Sequence, residues 1–340
     1  MSAPIVHGGG ITAAATAFGG RPEDWLDLST GINPCPVALP EIPARAWHRL
    51  PDRHLVDAAR FAARDHYGSG EILPLPVPGT QSVIQLLPRL VGADERIAVT
   101  DDRIAVVSPT YGEYARAFTS AGFAVDAVND VAAIGAAHRL AVVVNPNNPD
   151  GRIWPAETLV ALHDRIKAAN GFLVVDEAFG DTNPALSLAS RAPQLSNLVI
   201  FRSFGKFFGL AGLRLGFAIA GENILERFED WLGPWAVSGP ALSLAASLLR
   251  SDVSPIHSRI EERSIGLHTA LDGAGLRIAG GTALFTLVND ARASDIYTYL
   301  CQHHILVRKF DNAPDWLRFG LAPDPAADRR LGEALQRFKR

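Results

Sequence analysis

The chain has 340 residues, room for one large α/β domain with a smaller companion, and its 48% hydrophobic and 20% charged content gives no reason to expect disorder. Lysine plus arginine at 32 against aspartate plus glutamate at 36 gives a formal charge of -4, so no basic excess points to nucleic acid or to an anionic membrane, and local arginines must carry any anion binding. The two cysteines, Cys35 and Cys301, form no metal-type or redox-type spacing, and no basic leader or bilayer-length apolar run stands out, so the expectation is a soluble cytoplasmic protein without a metal.

In chain order, "VPGTQSV" sets Gly79, Thr80 and Gln81 before an expected helix, where free backbone N–H groups and the helix dipole favour a phosphate. It matches neither of the common Gly-rich nucleotide loops. The run "RIAVV" at 103 reads as a strand, and "SPTYGEY" after it offers Tyr111 and Tyr114 for stacking on a flat ring or for packing in the core. "AVVV" at 141 reads as the next strand, followed by "NPNNPDG", a rigid turn carrying Asn145, Asn147 and Asn148. Leu159, Leu162 and Ile166 recur at helical spacing between Pro155 and Ala169.

"FLVV" at 172 leads directly into Asp176, a carboxylate that is costly there unless a cation or donor meets it; a helix N-cap or an ion pair would satisfy it equally. "LVIF" at 198 and "GFAIA" at 216 flank a stretch with Ser203, Lys206 and Arg214 in apolar surroundings. Continuous apolar runs alternating with helices predict a mostly parallel sheet covered on both faces, with ligands at the carboxyl ends of its strands. From about Pro234 the pattern becomes helical, interrupted near Pro255, and then gives short strand-like runs, "ALFTLV", "ILVRKF" and "WLRFGL". The expected layout is an N-terminal arm over 1–38 joined to the small domain, a large domain over 39–233, and a smaller α+β domain over 234–340.

Together these pieces describe one ligand. It has an anion for Gly79 to Gln81, Ser203 and Arg214, a ring for Tyr111, a cationic ring nitrogen for Asp176 and an aldehyde for Lys206. Pyridoxal 5'-phosphate has all of these features.

With Ser-x-x-Lys, the arginine eight residues beyond it, "DEA" and "NPNNPDG" in that relation, the sequence resembles the fold-type I, aspartate aminotransferase-like pyridoxal phosphate enzymes over nearly its whole length. The resemblance implies Lys206, Asp176 and Tyr111 as the catalytic set. Lys206 would bind the cofactor aldehyde, Asp176 would pair with the ring nitrogen and Tyr111 would stack on the ring. Asn148 would donate to the ring oxygen, and Gly79, Thr80, Gln81, Ser203 and Arg214 would surround the phosphate. Three positions depart from the pattern: Phe179 replaces a tyrosine, Gly205 a hydroxyl-bearing residue, and Leu50 a tyrosine that reaches the neighbouring subunit's cofactor. The family's homodimer remains the expectation.

Two branches of that family are similar to this chain, the histidinol-phosphate aminotransferases and the threonine-phosphate decarboxylases of cobalamin biosynthesis. "HGGGI" from His7 and "LDLSTGINPCP" from Leu26 resemble the decarboxylase branch, which implies His7 and Asn33 at the substrate. Arg308 and Arg318, on the last two expected strands, occupy places that match the family's substrate arginines. A guanidinium fork suits carboxylate or phosphate, and a phosphorylated amino acid presents both.

The implied reaction is decarboxylation of L-threonine O-3-phosphate to (R)-1-amino-2-propanol O-2-phosphate, a lyase activity. Residues around the ring serve transamination equally well, so an aminotransferase stays open. A cofactor-sensing regulator would bring a DNA-binding domain for which the chain leaves no room, and a scaffold gives no reason for the lysine, aspartate and asparagine to co-occur.

Overall fold

The computed structural model describes residue 5 and residues 7–92 and 102–339. Strand β1 (Leu26–Leu28) belongs to a small sheet taken up below. The next seven, β2 (Leu75–Val77), β3 (Arg103–Val107), β4 (Ala124–Val128), β5 (His138–Val144), β6 (Phe172–Asp176), β7 (Leu198–Ser203) and β8 (Gly216–Ala220), form one sheet in the order β2-β8-β7-β6-β5-β3-β4. Pairings from β4 through β7 are parallel. Helices cover both faces, which is why β5 to β8 are almost wholly buried and read as unbroken apolar runs.

The helix Ala156–Ala168 turns Leu159, Leu162 and Ile166 into the core, as their spacing predicts. The helix Arg53–Tyr67 starts where the Asp52 side chain accepts from the Leu55 N–H and stops at Gly68, whose φ of 64° only glycine adopts cheaply. The predicted interruption near Pro255 falls between the helices Gly239–Leu248 and Ser254–Gly273. No described helix is long and apolar enough to cross a membrane.

"GFAIA" forms a strand, but β8 runs antiparallel to β7, with Ser203 opposite Gly216. The reason lies in the short connection, residues 204–215, which turns back without a crossover helix long enough to reset direction. Ser203, Lys206 and Arg214 therefore sit together at the carboxyl end of β7. The second sheet has the order β1-β11-β12-β10-β9, using β9 (Ile278–Thr282), β10 (Phe285–Asn289), β11 (Ile305–Lys309) and β12 (Trp316–Gly320). Only β1 pairs in parallel, so the N-terminal segment closes an edge of this sheet. The two sheets meet where Gly151, at φ +71°, lies against β9; a Cβ there would stand 1.8 Å from the Gly281 carbonyl oxygen.

A buried ion network pins the ends of β6 and β7. Arg202 donates to Glu177 and Asp181, each at 2.7 Å, and lies 4.5 Å above the Tyr67 ring; all three ionic partners are buried. Ser187 and the Leu188 N–H also donate to Glu177, at 2.6 and 2.8 Å. Burial pushes Asp181 up, but the Arg202 guanidinium and His66 outweigh it and hold its carboxyl below the usual range. Because Glu177 follows Asp176 and Arg202 precedes Ser203, this network fixes the backbone of both site positions.

Removing the cation would leave two buried carboxylates uncompensated. Arg202→Met should cost about 3–5 kcal/mol, read as a lower midpoint of chemical unfolding at unchanged slope. A midpoint close to that of the unaltered protein would show that the network carries no such weight.

Candidate active site

The loops beyond β5, β6 and β7 surround a cleft of about 770 Å³, counting its open mouth. Gly79, Thr80, Gln81, Tyr111, Asn148, Asp176, Ser203, Lys206 and Arg214 all line it. Sequence positions spread over more than a hundred residues thus converge because strand ends of a parallel sheet face one way.

At one end the backbone turns through Gly79 at φ +74°, where a Cβ would meet the Arg214 guanidinium at 2.6 Å. The first turn of the helix Thr80–Ile84 begins here, and its leading N–H groups have no intrahelical acceptors. Ser203 precedes the helix Phe204–Phe207 without capping it, so its hydroxyl stays free for the cleft. Gly205 departs from the family pattern for a steric reason: a Cβ would stand 2.7 Å from the Cα of Ala211.

On the floor, Asp176 is buried and accepts from the Tyr114 hydroxyl at 2.8 Å and from the Ala178 N–H at 2.9 Å. Burial raises its pKa despite both bonds, which marks a carboxylate in want of a cation. The two tyrosines of "SPTYGEY" thereby divide their roles. Tyr114 is fully buried under Asp176, while Tyr111 lines the cleft and donates its hydroxyl to Gln81 at 3.0 Å. Burial, then Glu113 and Asp176, push the Tyr111 hydroxyl up to about 12.

Lys206 projects into the cleft, its ammonium 5.8 Å from the Phe179 ring centroid. Burial first and Arg318 second lower its pKa to about 8, against the pull of Asp176. Phe179 itself is packed edge-on against Phe285 at 5.1 Å, an apolar wall where relatives offer a hydroxyl.

Arg318 on β12 reaches across from the small sheet. One of its terminal nitrogens donates to the Asn148 side-chain oxygen and the other to the Ser29 carbonyl at 2.8 Å. It has no carboxylate partner among the described residues, and its buried Nε is unpaired. Burial, then repulsion from Arg308, pull its pKa below the usual arginine range. Arg308 stands opposite it in the β11–β12 register, and burial also lowers its pKa.

Neither arginine is among the residues that line the cleft; Arg318 meets it through Asn148. His7 lies beside Tyr111, with ring centroids 5.7 Å apart, and pairs with Glu113 at 2.9 Å. Asn33 is buried; its side chain donates to the Phe207 carbonyl and accepts from the Cys35 N–H, both at 2.9 Å, which ties its segment to the Lys206 loop. Sequence reasoning missed Glu113, Arg202 and Ser29. A buried charge beside an assigned motif residue was the available signal, though their partners lie too far along the chain to be read.

Comparison with known proteins agrees with this geometry. The family described as aminotransferase class I and II matches residues 23–335. A threonine-phosphate decarboxylase from a Sinorhizobium species is 62% identical, with 100% of both chains covered. Another, from Pseudomonas aeruginosa, is 42% identical over 98% of each. Among solved structures, histidinol-phosphate aminotransferase from Sinorhizobium meliloti in complex with pyridoxal-5'-phosphate superposes with a TM-score of 0.81 at 19% identity, covering 99% of this chain and 95% of the other. The chain belongs to the aminotransferase class I and II family.

Proposed function

We propose that this protein is a pyridoxal 5'-phosphate-dependent lyase that releases carbon dioxide from L-threonine O-3-phosphate and yields the phosphorylated amino alcohol. Full-length identity of 62% to a threonine-phosphate decarboxylase is the observation that carries the reaction. The facing Arg308 and Arg318 support a substrate with two anions.

The cleft suits the cofactor on its own terms. A glycine turn without room for a side chain, a free serine hydroxyl and Arg214 make an anion cradle at one end. A buried carboxylate lacking a cation lies below, and a lysine with a lowered pKa stands beside it. Gly79, Thr80, Gln81, Ser203 and Arg214 would hold the phosphate, Tyr111 the ring face, Asn148 the ring oxygen, Asp176 the ring nitrogen and Lys206 the aldehyde carbon. When bound, pyridoxal phosphate supplies an aldehyde that condenses with amines and an electron-poor ring that takes up the electron pair of a bond broken at Cα.

The protein's part is to bind and orient. Tyr114 and the Ala178 N–H keep Asp176 aimed, so its charge keeps the ring nitrogen protonated. Arg318 fixes the Asn148 amide, turning its N–H groups away from the guanidinium and toward the ring oxygen. The two arginines would hold carboxylate and phosphate, and so would set which bond at Cα is presented to the cofactor. The Lys206 amine, which lines the cleft and has a lowered pKa, would be the group to return a proton to Cα. The apolar wall of Phe179 and Phe285 keeps water from that side.

The homodimer is part of the proposal. Trp47, Leu50 and Trp235 are 62%, 64% and 58% exposed and are candidates for its interface. Leu50, standing where relatives carry a tyrosine that reaches the neighbouring subunit's cofactor, does not support a shared active site.

The direct test supplies the cofactor-loaded protein with L-threonine O-3-phosphate and no keto acid. Sustained carbon dioxide release is expected, and Lys206→Ala should abolish it. Amino-group transfer to 2-oxoglutarate in place of carbon dioxide would make this an aminotransferase.

A second expectation concerns pH. Only the unprotonated Lys206 amine attacks an aldehyde, and its folded pKa is lowered, so the reactive form grows as pH rises to about 8 and then saturates. Cofactor uptake by the apo protein, followed by visible absorbance, should level off just above that pH. A rate still climbing toward about 10, where an ordinary lysine titrates, would contradict the buried, cation-flanked setting.

A further inference from the structure

Glu113 is the first residue of the helix Glu113–Ser120, and only 6% of it is exposed. A carboxylate at a helix start is ordinary. Four donors converging on it are not. His7 Nε2 lies 2.9 Å from Oε1, and Gln81 and Gln85 donate to Oε2 at 3.1 and 3.4 Å. Arg116, more exposed, approaches Oε1 at 3.7 Å.

These contacts reach the cleft by two routes. A carboxylate only accepts, so the Gln81 amide must turn its nitrogen to Glu113 and its oxygen toward Tyr111, whose hydroxyl donates to it at 3.0 Å. That orients the residue that faces the ring. The other route runs through His7, which must present Nε2–H to Glu113. Two residues on, the Gly9 N–H donates to the Ser29 hydroxyl at 2.7 Å, and the Ser29 carbonyl accepts from Arg318 at 2.8 Å. Gly8 between them has no room for a side chain, since a Cβ would stand 2.3 Å from the Ser29 carbonyl oxygen. The N-terminal segment is thus fastened at Glu113 on one side and at Ser29, beside Arg318, on the other.

We propose that Glu113 is a positioning residue that ties His7 and the N-terminal segment to the Gln81–Tyr111 wall, so that the segment spans from the ring-facing tyrosine to the anion-binding Arg318. This rests on the lyase reading for the identity of the substrate, though not for the coupling. Glu113 touches none of the reacting atoms. Its loss should therefore weaken substrate capture more than turnover.

The test is a double-mutant cycle on the cofactor-loaded protein with His7→Ala, Glu113→Gln and both together. Each single change should raise KM for L-threonine O-3-phosphate by about 10-fold, with a smaller fall in kcat, as expected for a hydrogen bond to a charged group. The double variant should be no worse than either single one.

A second readout needs no turnover. Amide exchange at Gly9 should accelerate to a similar extent in both single variants, because both release the same segment. His7 is largely exposed at 44% of its side chain, so His7→Ala reports on the segment even where Glu113→Gln folds poorly. Effects that multiply in the cycle, or Gly9 exchange unchanged in His7→Ala, would overturn the inference while leaving carbon dioxide release intact. If the protein instead transfers amino groups, the lyase reading falls; the same cycle, run on KM for that amino donor, and the same exchange experiment then decide the role of Glu113.

Discussion

The structure depends on one buried cation, Arg318, that has no carboxylate partner among the described residues. Arg318 extends from the small sheet, takes the Asn148 side chain on one nitrogen and the Ser29 carbonyl on the other, and leaves Nε unpaired. Burying a guanidinium this way is expensive unless an anion completes its shell. The cost is tolerable because the same contacts tie the large sheet, the small sheet and the N-terminal segment together at the cleft. Under the proposed function, a substrate carboxylate or phosphate would supply the missing charge.

The electrostatics of the cleft follow from that arrangement. Asp176 and Arg318 have no salt-bridge partner among the described residues, while Lys206 feels both and is pushed toward its neutral form by burial and Arg318. Under the proposed function, these opposite charges would receive a molecule with a cationic ring nitrogen at one end and anions at the other. Around this centre the network of Arg202, Glu177 and Asp181 does the opposite job, pairing its charges within the protein. It holds the strand ends still so that the unmet charges keep their separation.

Much of this was legible in the sequence because the cofactor side is built from local motifs. Asp176 and Ser203 end apolar strands, and Asn148, Lys206 and Arg214 follow close behind, so each could be read from its own neighbourhood and all of them line the cleft. What lay out of reach depends on pairs distant along the chain. Arg202 meets partners 25 and 21 residues away, and Arg318 meets Asn148 across 170. Asn33 belongs with these long-range pairs, since its amide donates to a carbonyl 174 residues away. The antiparallel turn of β8 was also invisible to a pattern of apolar runs, which reports burial and not direction.

The cofactor side serves either reaction, so the central claim is geometric: the arginines hold the substrate with its Cα–carboxylate bond perpendicular to the ring. The most direct measurement is a crystal structure of the Lys206→Ala protein with pyridoxal phosphate and L-threonine O-3-phosphate bound. The account predicts the carboxylate standing out of the ring plane, with both substrate anions on Arg308 and Arg318. A carboxylate lying in the ring plane, with the Cα–H bond perpendicular instead, would contradict it and favour amino transfer.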